Sequence, residues 1–303
     1  MEFSREPPWT PGQLKRLGKA IREGREHEFA EVSYGDFVMW YGEFASAIEE
    51  RIEQMDFSRV LGGESPLVSS RPKTIQTLRD KLKARSSLQL PSIVDVAGVR
   101  VEATMDLDDQ DEVARLISDE LGQDFDDIVS DTRQAPHSGY RALHLRARLP
   151  AGRVEIQIRT MFQGAWANMF EALADNLGRE IRYGSLPSSS SARAQVESAL
   201  RTADSLRTVE ERKRDLRGTR LVLDDAFEEL EGALLNVLEL LPASESVSRN
   251  EYRMRLEKCR IDREAELRKR AVEDSAYNDN DDEFVRKLKQ MEKDLRAERR
   301  RGV

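Results

Sequence analysis

Two neighbouring segments in the middle of the chain alternate strictly between hydrophobic and polar positions. Residues 154–160 (VEIQIRT) place Glu155, Gln157 and Arg159 on one side and apolar side chains on the other. Residues 143–149 (LHLRARL) alternate in the same way, with His144 on the polar side. Because successive side chains of a β-strand point to opposite faces, both segments are predicted to be strands with one polar face. That face is either the floor of a polar cleft or a solvated outer surface, and the presence of two such strands favours a shared site.

Helical periodicity predicts most of the remaining elements. The predicted helices cover, approximately, residues 11–21, 36–55, 73–85, 108–121, 161–183, 192–216 and 221–241. Short strands are predicted within residues 91–103 and 125–130. The segment 184–191 (GSLPSSSS) predicts a linker, and the Asn/Asp run 278–282 predicts a break in the C-terminal region.

A basic stripe is predicted on the helix that ends near Arg85. Lys73, Thr77, Lys81 and Arg85 are spaced by four residues, so they would lie along one side of a helix. Like charges at this spacing repel one another by a few tenths of a kcal/mol. The stripe is therefore either a binding surface for a polyanion or a solvated basic face.

The predicted strand within residues 91–103 is interrupted by two charged residues, Asp95 and Arg100. A carboxylate and a guanidinium in an apolar run form either a partly buried ion pair or part of a functional site. Gly98 lies between them and indicates a bulge or a close backbone approach.

Composition narrows the classes of function. The 303 residues carry a formal net charge of −8, which argues against a protein that coats nucleic acid through bulk positive charge. The single cysteine, Cys259, excludes intrachain disulfides and multi-cysteine zinc sites. We expect a cytoplasmic protein without a membrane association, because neither a signal peptide nor a bilayer-spanning apolar run is present. Secretion without a signal peptide stays open.

The candidate residues together indicate phosphoryl or pyrophosphoryl transfer. Asp95 and Glu155, if they converge, can hold Mg²⁺, which needs few protein ligands when phosphate oxygens complete its shell. The cations near them can neutralise a triphosphate, and Tyr140 can stack on a base. Catalysis of this chemistry depends chiefly on positioning and charge stabilisation. The sequence has no GxxxxGK[ST] phosphate loop, so side chains would hold the donor.

Four motifs, in order, resemble the synthetase domain of the RelA/SpoT family, the alarmone synthetases. The resemblance covers residues 35–183, includes Trp166-Ala167, and points to the small, single-domain branch of the family. The motifs are Arg71-x-Lys73-x-x-x-Thr77-x-x-x-Lys81, Asp95-x-x-Gly98-x-Arg100, Gly139-Tyr140-x-x-x-His144 and Glu155-Ile156-Gln157-Ile158-Arg159-Thr160.

This resemblance implies an α/β (α+β) fold with a mixed β-sheet flanked by helices, similar to nucleotidyltransferases. Together with the helical pattern on either side of it, the resemblance predicts N-terminal helices in residues 1–60 that pack on the core, a synthetase core in 61–184 and a C-terminal helical extension in 192–303. The implied reaction moves the β,γ-pyrophosphate of ATP to the ribose 3′-hydroxyl of a purine nucleotide, with Mg²⁺ as cofactor. The implied roles are ATP binding by Arg71, Lys73, Lys81 and Arg100, metal binding and catalysis by Asp95 and Glu155, and acceptor binding by Tyr140, His144, Gln157 and Arg159.

Departures from the family pattern keep alternative functions open. Gly164 stands where the family commonly has Asn or Asp, and Phe170-Glu171 stand where it has Glu-His. The leading hypothesis is synthesis of (p)ppGpp from ATP and GDP or GTP. The alternatives are a toxin that modifies the 3′-CCA end of tRNA or an adenine nucleotide, with an antitoxin partner, and an inactive binding module. With three histidines in all, a histidine-rich hydrolase domain is not expected. The sequence does not determine whether the protein forms an oligomer.

Overall fold

The structure is a computed structural model that describes residues 4–29, 31–134, 138–240 and 246–301. Contacts divide the chain into two compact units, with the boundary between Arg207 and Thr208. The helices are α1 Pro11–Glu23, α2 Tyr34–Glu53, α3 Ser58–Leu61, α4 Ile75–Ala84, α5 Leu107–Glu120, α6 Phe125–Ile128, α7 Met161–Leu177, α8 Ser190–Leu240 and α9 Ser246–Arg301. Short 3-10 segments cover Leu90–Ser92, Val94–Val96 and Arg179–Tyr183. The strands are β1 Leu67–Pro72, β2 Ala97–Ala103, β3 Val129–Asp131, β4 Leu143–Leu149 and β5 Gly152–Thr160.

The five strands form one mixed sheet in the order β1-β2-β5-β4-β3. Strands β2 and β5 are parallel, whereas the other neighbouring pairs are antiparallel. The β4–β5 hairpin has the register Leu149 opposite Gly152. The predicted fold class, a mixed sheet flanked by helices with helical extensions, is confirmed.

The apolar face of the sheet forms the core. Val99, Val101, Ile156 and Leu145 on this face are at most 1% exposed. They belong to one buried cluster that includes side chains of α1, α2, α4 and α5. Burial of so many aliphatic side chains is the main stabilising term, at about 25 cal/mol per Å² of apolar surface. The opposite face of the central strands is thereby left for polar side chains.

Several predictions about local structure differ from the structure. Of the strand predicted at residues 125–130, only Val129 and Ser130 are in a strand, β3, because Asp124 caps a short helix, α6, by accepting a hydrogen bond from the Asp126 N–H at 3.0 Å. The basic stripe is shorter than predicted, because α4 begins at Ile75 and ends before Arg85, which has an extended backbone. The break predicted at 278–282 does not occur, since α9 continues through it.

The second unit consists of the rest of α8 together with α9. Ion pairs link the two helices, among them Lys213 with Asp281 and Arg270 with Asp224, the latter at 2.9 Å. The pair with Lys213 gives Asp281 a partner inside the run that was predicted to break the helix. None of the described helices combines the length and the apolar character that crossing a bilayer requires.

Candidate active site

The polar face of the central strands forms the floor of the candidate active site. Arg100 on β2 lies beside Gln157 on β5, and Gln157 lies beside His144 on β4. In the neighbouring row, Glu155 lies beside Arg146. Register partners in a sheet point to the same face, so these five side chains share one surface. The predicted alternation therefore places acids, amides and cations together.

Glu155 is the centre of a polar network on this floor. The side-chain amide of Gln157 donates to Glu155 Oε2 at 3.3 Å, and Arg159 Nη2 donates to Gln157 Oε1 at 3.1 Å. His144 Nδ1 and Arg146 Nε lie 3.6 and 3.5 Å from Glu155 Oε1. Burial raises the pKa of Glu155, but His144, Gln157 and Arg146 outweigh burial and lower the pKa to about 2. Glu155 is therefore ionised at neutral pH.

Asp95 lies in the 3-10 segment that leads into β2 and is paired with two lysines. Lys73 contacts Asp95 Oδ2, and Lys81 Nζ donates to Asp95 Oδ1 at 2.7 Å. The backbone N–H of Lys73 donates to the carbonyl of Val96 at 3.0 Å, which holds Lys73 next to Asp95. Burial raises the pKa of Asp95, but the two lysines outweigh it, so the net pKa is lowered.

The two carboxylates lie at the same ends of neighbouring parallel strands. Asp95 precedes Ala97 by two residues, and Ala97 is the register partner of Val154, the residue before Glu155. The side chains of Asp95 and Glu155 are 21% and 13% exposed, so neither is sealed in the apolar core. Asp95 with Lys73, and Glu155 with Arg146, therefore lie on adjacent chain segments at this edge of the sheet.

Tyr140 lies in the loop before β4, against α7. Its ring packs edge-on against Trp166 and Phe170, with ring centroids 5.5 and 5.6 Å away. The hydroxyl donates to Glu171 Oε1 at 2.7 Å. Burial and the Glu171 charge raise the pKa of Tyr140, so the phenol stays neutral at physiological pH.

Comparisons with known proteins decide the family. Uncharacterized proteins of Mycobacterium tuberculosis and Mycobacterium bovis are each 43% identical over 187 residues, which is 62% of this chain and 67% of theirs. The family model described as "Region found in RelA / SpoT proteins" matches residues 70–174. The chain belongs to the RelA/SpoT family. Every residue predicted for the site lies inside the matched region.

Solved structures with a similar backbone include two small alarmone synthetases. Small alarmone synthetase 1 from Bacillus subtilis aligns with a TM-score of 0.45 and 20% identity, over 62% of this chain and 97% of that one. Small alarmone synthetase 2 from the same organism aligns with a TM-score of 0.47 and 23% identity, over 62% and 100% of the two chains. The family assignment rests on the sequence matches.

The cationic residues of the RelA/SpoT motifs do not all contact the same group in the structure. Lys73 and Lys81 meet at Asp95, whereas Arg100 Nη1 donates to Asn168 Oδ1 of α7 at 3.4 Å. The backbone of Arg71 pairs with Gly98 on β2, but its side chain lies outside the described part of the structure. The lysines and Arg100 therefore border different parts of the same floor.

Sequence reasoning missed two residues of the site, Glu102 and Asn168. Glu102 lies two positions after Arg100 on β2, on the same face, beside Arg159. The alternation in residues 99–103 (VRVEA) was the signal that could have identified it. Asn168 carried no signal of its own, because only the packing of α7 brings it to Arg100.

The first turns of α8 hold the Tyr140 loop and α7 in place. Trp166 Nε1 donates to the carbonyl of Ala199 at 2.8 Å. Arg141 donates to the carbonyl of Ala203 and, at 3.1 Å, to Asp204 Oδ1. This part of α8 lies in the first compact unit, so the start of the C-terminal extension supports the site directly.

Gly139→Ala is expected to destabilise the protein by about 2 kcal/mol or more, through strain and overpacking together. Gly139 has a φ of 82°, and a Cβ there would lie 2.6 Å from Trp166 Cη2. Thermal unfolding measures the effect. Gly122→Ala is the matched control and reports backbone strain alone, because Gly122 has a φ of 62° and a Cβ there would meet no atom of the described residues within 4 Å. Equal losses in the two variants would contradict the close packing of Gly139 on Trp166 as the cause.

Proposed function

We propose that this protein transfers the β,γ-pyrophosphate of ATP to the ribose 3′-hydroxyl of GDP or GTP, as a member of the small alarmone synthetase branch. The observation that carries the proposal is the placement of two acids on adjacent chain segments: Asp95, held by Lys73 and Lys81, lies just before β2, and Glu155 lies on the neighbouring parallel strand β5. A structural ion pair needs only one cation for each acid. A group of two acids and several cations is better explained as a binding site for a metal-bound triphosphate.

The donor half of the site is formed by cations. Lys73 and Lys81, with Arg71 and Arg100, would bind the ATP phosphates. The two lysines are held by Asp95 in the structure. When ATP binds, the two lysines would leave Asp95 and bind phosphate oxygens instead. This exchange is feasible because lysine forms charge-assisted hydrogen bonds of similar strength with carboxylates and with phosphates.

The carboxylates fit Mg²⁺ as the cofactor. Mg²⁺ prefers oxygen ligands and is commonly held by one or two carboxylates together with substrate phosphates. Asp95 and Glu155 would hold it, because both are ionised and neither is sealed in the core. Bound there, Mg²⁺ would neutralise charge on the transferred phosphates.

The residues of this chain would position the reactants for an in-line displacement. The acceptor 3′-oxygen forms a bond to the β-phosphorus of ATP, the bond between that phosphorus and the α-phosphate oxygen breaks, and AMP leaves. Glu155 would accept the hydroxyl proton. Gln157 and His144 would orient the Glu155 carboxylate through the contacts described above.

The acceptor half lies towards Tyr140 and α7. Tyr140 would stack on the acceptor base, and His144, Gln157 and Arg159 would line the pocket. Arg159 is 5% exposed, and its Nε and Nη1 have no hydrogen-bond partner among the described residues. Burial and the charge of Arg100 lower the pKa of Arg159 to about 10, so it remains a cation. A buried cation with free donors favours an anionic or oxygen-rich ligand.

The acceptor is tested by incubating the purified protein with γ-labelled ATP and Mg²⁺, and with GDP, GTP, ADP or deacylated tRNA in separate reactions. Label in GDP or GTP, with AMP as the second product, supports the proposal. Label in tRNA or ADP alone would replace it by the corresponding alternative. Release of labelled phosphate with ADP as the product would indicate hydrolysis instead of pyrophosphate transfer.

Tyr140→Ala is expected to raise the KM for the acceptor about tenfold or more and to leave the KM for ATP within about twofold, because base–aromatic stacking contributes about 1–3 kcal/mol. Tyr140→Phe is the matched control, since it removes the hydrogen bond to Glu171 and keeps the ring. Steady-state kinetics with each substrate varied in turn give both constants. Equal losses for ATP and acceptor in Tyr140→Ala, or an equally impaired Tyr140→Phe, would argue against stacking.

A further inference from the structure

We propose that Glu102 selects guanine as the acceptor base, and that Gly164 provides the space in which the Glu102 carboxylate lies. The inference rests on the proposed function and assigns the specificity of its acceptor pocket. It concerns two positions that the catalytic mechanism does not use.

Glu102 lies on the floor of the site at the acceptor end. It is the register partner of Arg159, and its side chain is 12% exposed. Arg159 also interacts electrostatically with Tyr140, the residue proposed to stack on the base. Glu102 is therefore in the same neighbourhood as the groups that would hold the acceptor.

Gly164 on α7 leaves room for the Glu102 carboxyl group. A Cβ at position 164 would lie 2.6 Å from Glu102 Cδ and 2.7 and 2.8 Å from its two oxygens. Contacts this short are not tolerated between such atoms, so any larger side chain at 164 would displace the carboxylate. The glycine and the glutamate form one feature of the pocket.

The hydrogen-bonding capacity of Glu102 is not satisfied by Arg159. The closest approach between them, from Arg159 Nη1 to Glu102 Oε1, is 4.0 Å, which is beyond hydrogen-bond distance. Within the described part of the chain, Arg159 Nη1 is itself buried without a hydrogen-bond partner. The Glu102 carboxylate is thus not hydrogen-bonded by Arg159 and can accept hydrogen bonds from a ligand.

Guanine offers donors in the arrangement that a carboxylate accepts. Its ring N1–H and 2-amino group are adjacent donors on one edge, so each can donate to one carboxylate oxygen. Adenine presents an unprotonated ring nitrogen beside its amino group, and that lone pair repels a carboxylate. Glu102 is therefore expected to favour a guanine nucleotide over an adenine nucleotide and over a tRNA end that terminates in adenosine.

The test compares GDP with IDP, whose base lacks the 2-amino group. We expect the wild type to use GDP with a kcat/KM about tenfold or more above that for IDP, because loss of one hydrogen bond to a charged group has about this effect. Glu102→Gln keeps the shape of the side chain but removes its charge and one acceptor oxygen. Its GDP to IDP ratio is expected to fall to within about threefold, through poorer use of GDP.

Gly164→Ala provides a second variant that keeps the Glu102 charge and displaces the carboxylate. It is expected to reduce the GDP to IDP ratio in the same direction, and it decides the question if Glu102→Gln does not fold. A wild-type ratio near one, or a ratio unchanged in whichever active variants are obtained, would overturn the role of Glu102. A role only as the counter-ion of Arg159 would appear as lower thermal stability with an unchanged ratio. Lack of transfer by the wild type to any guanine nucleotide would instead overturn the proposed function itself.

Discussion

Glu155→Gln is expected to slow pyrophosphate transfer at least about a thousandfold, while the protein still folds and binds ATP. The expected loss combines removal of a proton acceptor, which contributes about 10²–10⁴-fold, with removal of one negative ligand from the metal site. Glutamine has the same shape, and the floor around Glu155 already contains Gln157 and His144 as polar neighbours. Folding is therefore expected to survive the change.

The low pKa of Glu155 has a consequence for the pH dependence of transfer. A carboxylate with a pKa of about 2 is fully ionised at neutral pH, which suits a metal ligand and leaves the group able to accept a proton. A pH profile of the wild-type kcat is therefore expected to show no acid limb near pH 6 from Glu155.

Transfer of label from γ-labelled ATP, together with thermal unfolding and ATP binding, measures the effect of Glu155→Gln. Glu64→Gln makes the same chemical change at an exposed position and should leave transfer as it is in the wild type. Retention of more than about a tenth of the wild-type rate in Glu155→Gln, with normal folding, would remove Glu155 from the catalytic centre.

The sequence predicted which side chains share the polar face of the strands better than it predicted which side chains α7 adds to that face. The alternation in 154–160 placed Glu155, Gln157 and Arg159 on one face, because the two-residue period of a strand follows from covalent geometry. Nothing in the sequence placed Asn168 beside Arg100, since that contact depends on how α7 packs across the sheet. The space that Gly164 leaves for Glu102 likewise depends on tertiary packing and not on local pattern.

Two residues of the predicted basic stripe lie together in the structure although they do not lie along one helix. Lys73 precedes α4 and Lys81 lies within it, so they are not on one helical stripe. Both nevertheless reach Asp95, because the turn before α4 and the segment before β2 lie side by side. The spacing of the lysines therefore did not predict their secondary structure. Thr74 caps α4, so the helix begins after Lys73 and includes Lys81.

Asp95→Asn is expected to reduce transfer about a hundredfold or more without weakening the binding of metal-free ATP. The loss of transfer follows from the loss of a negative ligand, an effect of several kcal/mol in metal-assisted reactions. In the wild type, Asp95 holds Lys73 and Lys81, which the proposed function assigns to the ATP phosphates. An asparagine cannot neutralise them, so both cations would be available to the phosphates, and metal-free ATP should bind as tightly as in the wild type or more tightly.

Titration calorimetry with ATP in EDTA and in Mg²⁺, alongside the transfer assay, separates these two effects of Asp95. Lys81→Met is the informative comparison, because it removes one cation and leaves the acid: it should weaken ATP binding in both conditions. Asp95→Asn should differ from the wild type mainly when Mg²⁺ is present. If Asp95→Asn weakened metal-free ATP binding as much as Lys81→Met does, Asp95 would act by holding the lysines in position, and the assignment of Asp95 as a metal ligand would lose its support.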